Sequence, residues 1–191
     1  MSALQRPGRI VVLNGTSSSG KTSLAVELQR QAPELQLLHL QLDAFRAMEP
    51  PGYWSDDHSG QAPLRVEALC RAMNKAAAEF ARCGQNVIMD HVLTPTARAY
   101  MLEDLNGHEV LFIKVECGAE ETDSREVRRE DRKPGLGRSQ RESVHAGCCY
   151  DMAVDTTSRS ALDLGHVLAE WLRSWPDAEA HSRMQQERNA A

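Results

Sequence analysis

No stretch of this 191-residue chain approaches the roughly 20 consecutive apolar residues that a membrane-spanning helix needs. Nor does a charged segment followed by a long apolar one stand near Met1, so no export signal is read and a cytoplasmic location is expected. An excess of positive charge is lacking too: 22 Lys and Arg against 27 Asp and Glu leave a formal net charge of -5. Nucleic acid is therefore not an expected partner, because binding to a phosphate backbone rests on clustered cations. Metal-ligand spacing is missing among the cysteines at 70, 83, 117, 148 and 149, and their odd number suits a disulfide framework poorly. They read as reduced thiols, with the adjacent Cys148 and Cys149 either a redox-active pair or small buried apolar residues.

What the chain does have is a phosphate-loop pattern. Gly15-Thr16-Ser17-Ser18-Ser19-Gly20-Lys21-Thr22 follows the apolar run Ile10-Val11-Val12-Leu13 and precedes the amphipathic Leu24-Ala25-Val26-Glu27-Leu28. A strand, a small-residue loop and a helix in that order let several backbone N–H groups point at one anion, reinforced by the helix dipole. Lys21 is placed to reach the outer phosphates, and the Thr22 hydroxyl to ligate Mg2+.

Further apolar runs place strands at about 9–14, 37–42, 86–90, 110–115 and 154–157, with helices after the loop, from Pro63, from Pro95 and over about 161–175. Strands alternating with helices give an α/β doubly wound parallel sheet, the P-loop NTPase arrangement, within a single domain spanning residues 1–191. Its core is expected over 8–175, with loose termini at 1–7 and 176–191. Ligands of such sheets bind beyond the carboxyl ends of the strands, where the phosphate loop, Asp43 and Asp90 all fall. Asp90 reads as a metal-holding acid or as a surface acid at a strand end. Asp43 reads as a general base for an acceptor hydroxyl or as the N-cap of a short helix over 44–48.

Arg125, Arg128, Arg129 and Arg132 stand at helical spacings before Pro134-Gly135-Leu136-Gly137. They suit either a phosphate-gripping lid or a solvated charged helix paired through Glu126, Glu130 and Asp131. His91 reads as a substrate or metal contact, or as an ordinary polar residue at a strand end. Phe45, Met48, Tyr53 and Trp54 either wall an acceptor pocket or pack down the long loop over 44–62.

With these residues placed, the chain resembles chloramphenicol phosphotransferase and its relatives, small P-loop kinases that phosphorylate an antibiotic hydroxyl. The similarity rests on Leu13-Asn14-Gly15 through Thr22, on Asp43, on Ile88-Met89-Asp90-His91-Val92 and on Arg125-Glu126 with Arg129 and Asp131-Arg132. It rests also on Val144-His145, Gly147, Tyr150-Asp151 and Val154-Asp155-Thr156-Thr157. By that resemblance Asp43 is the general base, and Arg129 and Arg132 are the lid arginines that contact phosphate. His91 stands where the family commonly carries a second acid.

The implied activity is ATP- and Mg2+-dependent O-phosphorylation of a small molecule, chloramphenicol or a related antibiotic. A metabolite, nucleotide or sugar-nucleotide kinase is the alternative within enzymes, and a nucleotide-binding regulatory module the alternative outside them. The loop over 44–62 has Arg46 against Glu49, Asp56 and Asp57, which favours a neutral or cationic acceptor.

Overall fold

A computed structural model describes residues 6–53, 62–128 and 135–190. Trp54, Asp56, Asp57, Arg129 and Arg132, all singled out in the sequence, lie outside the described residues. Five strands form one sheet: β1 (Ile10–Asn14), β2 (Leu38–Gln41), β3 (Val87–His91), β4 (Val110–Glu116) and β5 (Met152–Asp155). Their spatial order is β2-β3-β1-β4-β5 and every pairing is parallel. The helices are α1 (Lys21–Gln31), α2 (Leu42–Arg46), α3 (Ala62–Arg82), α4 (Pro95–Asp104), α5 (Ala119–Val127), α6 (Leu136–Gln140), α7 (Ala161–Arg173) and α8 (Glu179–Ala190). The doubly wound α/β reading therefore holds.

Strands β1, β3 and β4 are continuous apolar runs because both their faces are covered. Ile10, Val12, Val87, Met89, Val110 and Phe112 form one core layer with residues of α3, α4 and α8. Val11, Leu13, Ile88, Leu111, Ile113 and Val115 form the opposite layer with α1 and α7. Each large side chain so buried contributes about 1.5–3 kcal/mol, which makes the central strands a rigid base for what stands at their ends. Helix starts are capped where the sequence supplies a hydroxyl: Thr94 accepts from the Ala97 N–H, and Ser160 from the Asp163 N–H.

Three boundaries differ from expectation. Strand β2 stops at Gln41, so Asp43 does not end a strand but lies in the first turn of α2, and it is not that helix's N-cap, which is Gln41. Strand β3 runs one residue past Asp90, through His91. Strand β5 begins and ends two residues early, at Met152 and Asp155. Edge strands are covered less evenly than central ones, and their apolar pattern fixes their ends less sharply.

The expected loose tail after Pro176 is also corrected. Residues 179–190 form α8, whose Ala180 and Met184 are buried in the core layer beside Phe112. Asp151 holds this helix in place: one carboxylate oxygen accepts from the N–H groups of Glu179 and Ala180, the other from that of Phe112. The His181 ring stacks on Phe112 at 6.0 Å between centroids and is only 5% exposed. Burial lowers its pKa from the ordinary 6.5 to about 4. Below pH 6.5 the unfolded chain takes up a proton that the folded chain refuses, so stability falls as pH drops from about 6.5 to 4. Relative to His181→Phe, wild-type protein is expected to lose roughly 2–3 kcal/mol more over that window in denaturant melts. Equal losses in the two proteins would place the imidazole in contact with water.

Candidate active site

The phosphate loop leaves β1 at Asn14 and enters α1 at Lys21. Two of its residues must be glycine. A Cβ on Gly15 would collide with the Val115 carbonyl oxygen, and Gly20, the N-cap of α1, has φ 89°. Ser18 also takes a left-handed conformation, φ 60°, and its buried hydroxyl has no hydrogen-bond partner among the described residues. The Lys21 ammonium donates to the Thr16 carbonyl at 2.6 Å and approaches the Ser19 hydroxyl at 3.5 Å, so the cation is folded back over its own loop. A glycine-bounded loop ahead of a helix, with a buried cation and a spare hydroxyl, is suited to phosphate.

Thr22, one residue into α1, donates its hydroxyl to Asp90 Oδ2 at 2.7 Å. Asp90 is 9% exposed, and His39 Nε2 lies 3.3 Å from the same oxygen. Burial pushes this carboxyl up, but the hydrogen bonds from His39 and Thr22 and the charge of Lys21 outweigh it and hold it below its ordinary range. An ionised carboxylate and a hydroxyl within hydrogen-bond distance are hard oxygen donors suited to Mg2+. Among the described residues no three His, Cys, Asp or Glu side chains gather as a metal cluster.

Asp43 lies two residues beyond Gln41, which pairs in register with Asp90 across β2 and β3. The two acids thus stand at the carboxyl edge of adjacent strands, Asp43 exposed and Asp90 buried. His91, by contrast, faces inward. It is 4% exposed, its Nε2 has no partner among the described residues, and burial lowers its pKa to about 4, so it is neutral near pH 7.

Of the four arginines at helical spacing, Arg125 has a structural assignment. Its guanidinium bonds Glu121, the Thr156 hydroxyl and the Thr156 carbonyl, and NH1 lies 3.3 Å from where a Gly20 Cβ would stand. The Thr156 hydroxyl in turn donates to the Ser19 carbonyl at 2.7 Å. Arg125 therefore ties α5 and the end of β5 to the loop. Arg128 is the exposed C-cap of α5. Phe45 packs against the core, Met48 is 70% exposed, and Tyr53 stacks under the Arg65 guanidinium at 4.1 Å.

Two contributors, His39 and Gln140, carried no sequence signal, and Glu126, read as a pairing acid on a charged helix, bonds backbone instead. His39 reaches Asp90 only through the β2–β3 register. Glu126, 3% exposed, accepts from the N–H groups of Gly135 and Gly137 and so ties α5 to the first turn of α6. Gln140 Oε1 accepts the Ser17 N–H at 2.7 Å, docking α6 on the crown of the loop.

Residues 8–173 match the chloramphenicol phosphotransferase-like family. A protein provisionally described as an O-phosphotransferase, from two strains of Mycobacterium tuberculosis, is 29% identical over 201 residues, covering 93% of this chain and 88% of its own. Among solved structures, a sugar kinase of Janibacter sp. HTCC2649 superimposes with TM-score 0.62 at 23% identity over 87% of this chain and 95% of its own. The APS kinase of Mycobacterium tuberculosis, in complex with AMPPNP and APS, gives 0.62 at 18% over 87% and 98%. A tunicamycin resistance protein of Deinococcus radiodurans gives 0.63 at 18% over 86% and 95%. The chain belongs to the chloramphenicol phosphotransferase-like family and has the fold of the P-loop kinases. It is a phosphotransferase with a hydroxyl acceptor.

Proposed function

We propose that the chain transfers the γ-phosphoryl group of ATP to a hydroxyl of a small molecule, an antibiotic such as chloramphenicol being the leading acceptor. The observation that carries the nucleotide half of this reading is the Thr22–Asp90 contact beneath a loop crowned by a buried lysine. Residues Gly15 through Thr22 cradle the donor phosphates with the Lys21 ammonium, the spare Ser18 hydroxyl and the backbone N–H groups not engaged elsewhere. Those of Gly15, Ser17 and Ser19 are bonded to His91, Gln140 and Thr16. Thr22 and Asp90 are the residues that would hold Mg2+. When bound, that ion neutralises charge on the β- and γ-phosphate oxygens.

The acceptor half rests on Asp43. Its place in the first turn of α2, two residues past the strand position that pairs with Asp90, supports reading it as the carboxylate that meets an acceptor hydroxyl. Asp43 takes the hydroxyl proton as the acceptor oxygen bonds to the γ-phosphorus. The bond from that phosphorus to the β–γ bridging oxygen breaks, leaving ADP and the phosphate monoester. Lys21 stabilises the charge that spreads over the transferred group, together with Arg129 and Arg132, whose part follows from family resemblance. Arg125, engaged with Glu121 and Thr156, is assigned to holding the nucleotide side of the site together.

The test is ADP release measured with and without acceptor. A compound that raises the rate and gains phosphate in step identifies the acceptor. ADP release that no hydroxylated compound alters would instead favour the nucleotide-binding regulatory module. A rate raised only by a nucleotide, sugar nucleotide or metabolite would keep the chemistry and reassign the acceptor.

A further inference from the structure

The last residue of β1 stands directly before the phosphate loop, and it is an asparagine with no exposed surface. A buried carboxamide is costly unless its donors and acceptor are used. Here all sides are engaged. Asn14 Oδ1 accepts the Leu93 N–H at 2.9 Å, which fixes the orientation of the amide. Its Nδ2 donates to the Val144 carbonyl at 2.8 Å and to the Tyr150 hydroxyl at 2.7 Å. The phenol passes the chain on, its oxygen lying 2.6 Å from His145 Nδ1.

The amide fixes the first direction: Asn14 Nδ2 donates to the Tyr150 oxygen. Burial and the neighbouring Cys148 raise the Tyr150 phenol pKa, so it keeps its proton. Burial and the Lys114 charge lower that of His145, so the imidazole is neutral and Nδ1 can accept. With its proton on Nε2 the imidazole accepts at Nδ1, and in that tautomer Tyr150 accepts from Asn14 and donates to His145.

One amide thus joins three segments that touch the site: the root of the phosphate loop, the turn three residues after Asp90, and the return from α6 to β5. That return segment is fastened to the loop a second time, at the crown, where Gln140 holds the Ser17 N–H. We infer that Asn14, Tyr150 and His145 form a positioning relay that sets the shape of the phosphate loop from beneath, through residues that never touch the nucleotide. The inference rests on nucleotide binding at this loop and adds to it a determinant of affinity in residues 144–150.

The experiment is ATP titration of the full chain, fitting dissociation constant and binding stoichiometry separately. Tyr150→Phe leaves a buried Asn14 donor and the His145 acceptor unmatched, and is expected to raise Kd about tenfold at unchanged stoichiometry per folded protein. His145→Leu should do the same, whereas His145→Gln, which supplies an acceptor oxygen, should bring Kd back to within about threefold of wild type. A purely structural role would lower the stoichiometry and the melting temperature while leaving Kd alone, and that result in Tyr150→Phe would overturn the relay. So would Gln and Leu behaving alike at position 145. Wild-type protein that binds no ATP would instead remove the phosphotransferase reading, and the relay with it.

Discussion

Lys21→Met is expected to lower turnover by roughly a thousandfold, the scale of losing a preorganised charge that acts on the transferring group. The methionine keeps the length and apolar stem of the lysine and removes only the ammonium. Lys21 is 7% exposed and its ammonium is held by the Thr16 carbonyl and the Ser19 hydroxyl, so its direction is set before nucleotide arrives. A preset charge in a water-poor site acts more strongly on a developing phosphoryl charge than a solvated one. Because the loop's shape depends on Gly15, Gly20 and the Asn14 contacts, the variant should still fold and melt near the wild-type temperature. Steady-state turnover with a saturating acceptor, beside a melting curve, checks both. A loss below tenfold would mean that the lysine only helps recruit nucleotide.

Asp43→Asn should cost about a hundredfold or more in turnover while nucleotide affinity stays within a factor of two or three, the pattern of a lost general base. The side chain is isosteric and the residue exposed, so the change should be felt little by the core. The expected stability cost is a few tenths of a kcal/mol at most, from losing a negative charge in the first turn of α2. An unchanged turnover would remove Asp43 from the proton transfer. A matched loss of affinity and turnover would place it in binding instead.

How far these roles could be read in the sequence depends on how local their causes are. Strands β1, β3 and β4 were legible because each is an unbroken apolar run, and the phosphate loop because its residues act within eight positions. Asp90 stands out in the sequence as the acid that closes the apolar run 87–89, while its burial and its hydrogen bond from Thr22 come from the fold. The setting of Asp43 was not legible, because the weak alternation of 37–42 did not reveal that the chain turns into a helix at Leu42. Helix α8 escaped because its apolar face amounts to Ala180 and Met184, and its cap, Asp151, lies 28 residues away. His39 and Gln140 depend on strand register and helix docking, which no spacing encodes. The block from Val144 to Tyr150 was distinctive by resemblance yet carried no role until Asn14 was seen to bond Val144 and Tyr150 across 130 and 136 residues.

The central claim is phosphoryl transfer to a hydroxyl rather than to water. The protein should be incubated with Mg2+ and ATP labelled in its γ-phosphoryl group, with a panel of hydroxylated compounds headed by chloramphenicol, and each compound weighed by mass spectrometry. The expected result is that one compound gains a single labelled phosphoryl group, mole for mole with the ADP formed, and that Asp43→Asn abolishes the gain. Label recovered only as inorganic phosphate, with every compound in a broad panel unchanged, would contradict it.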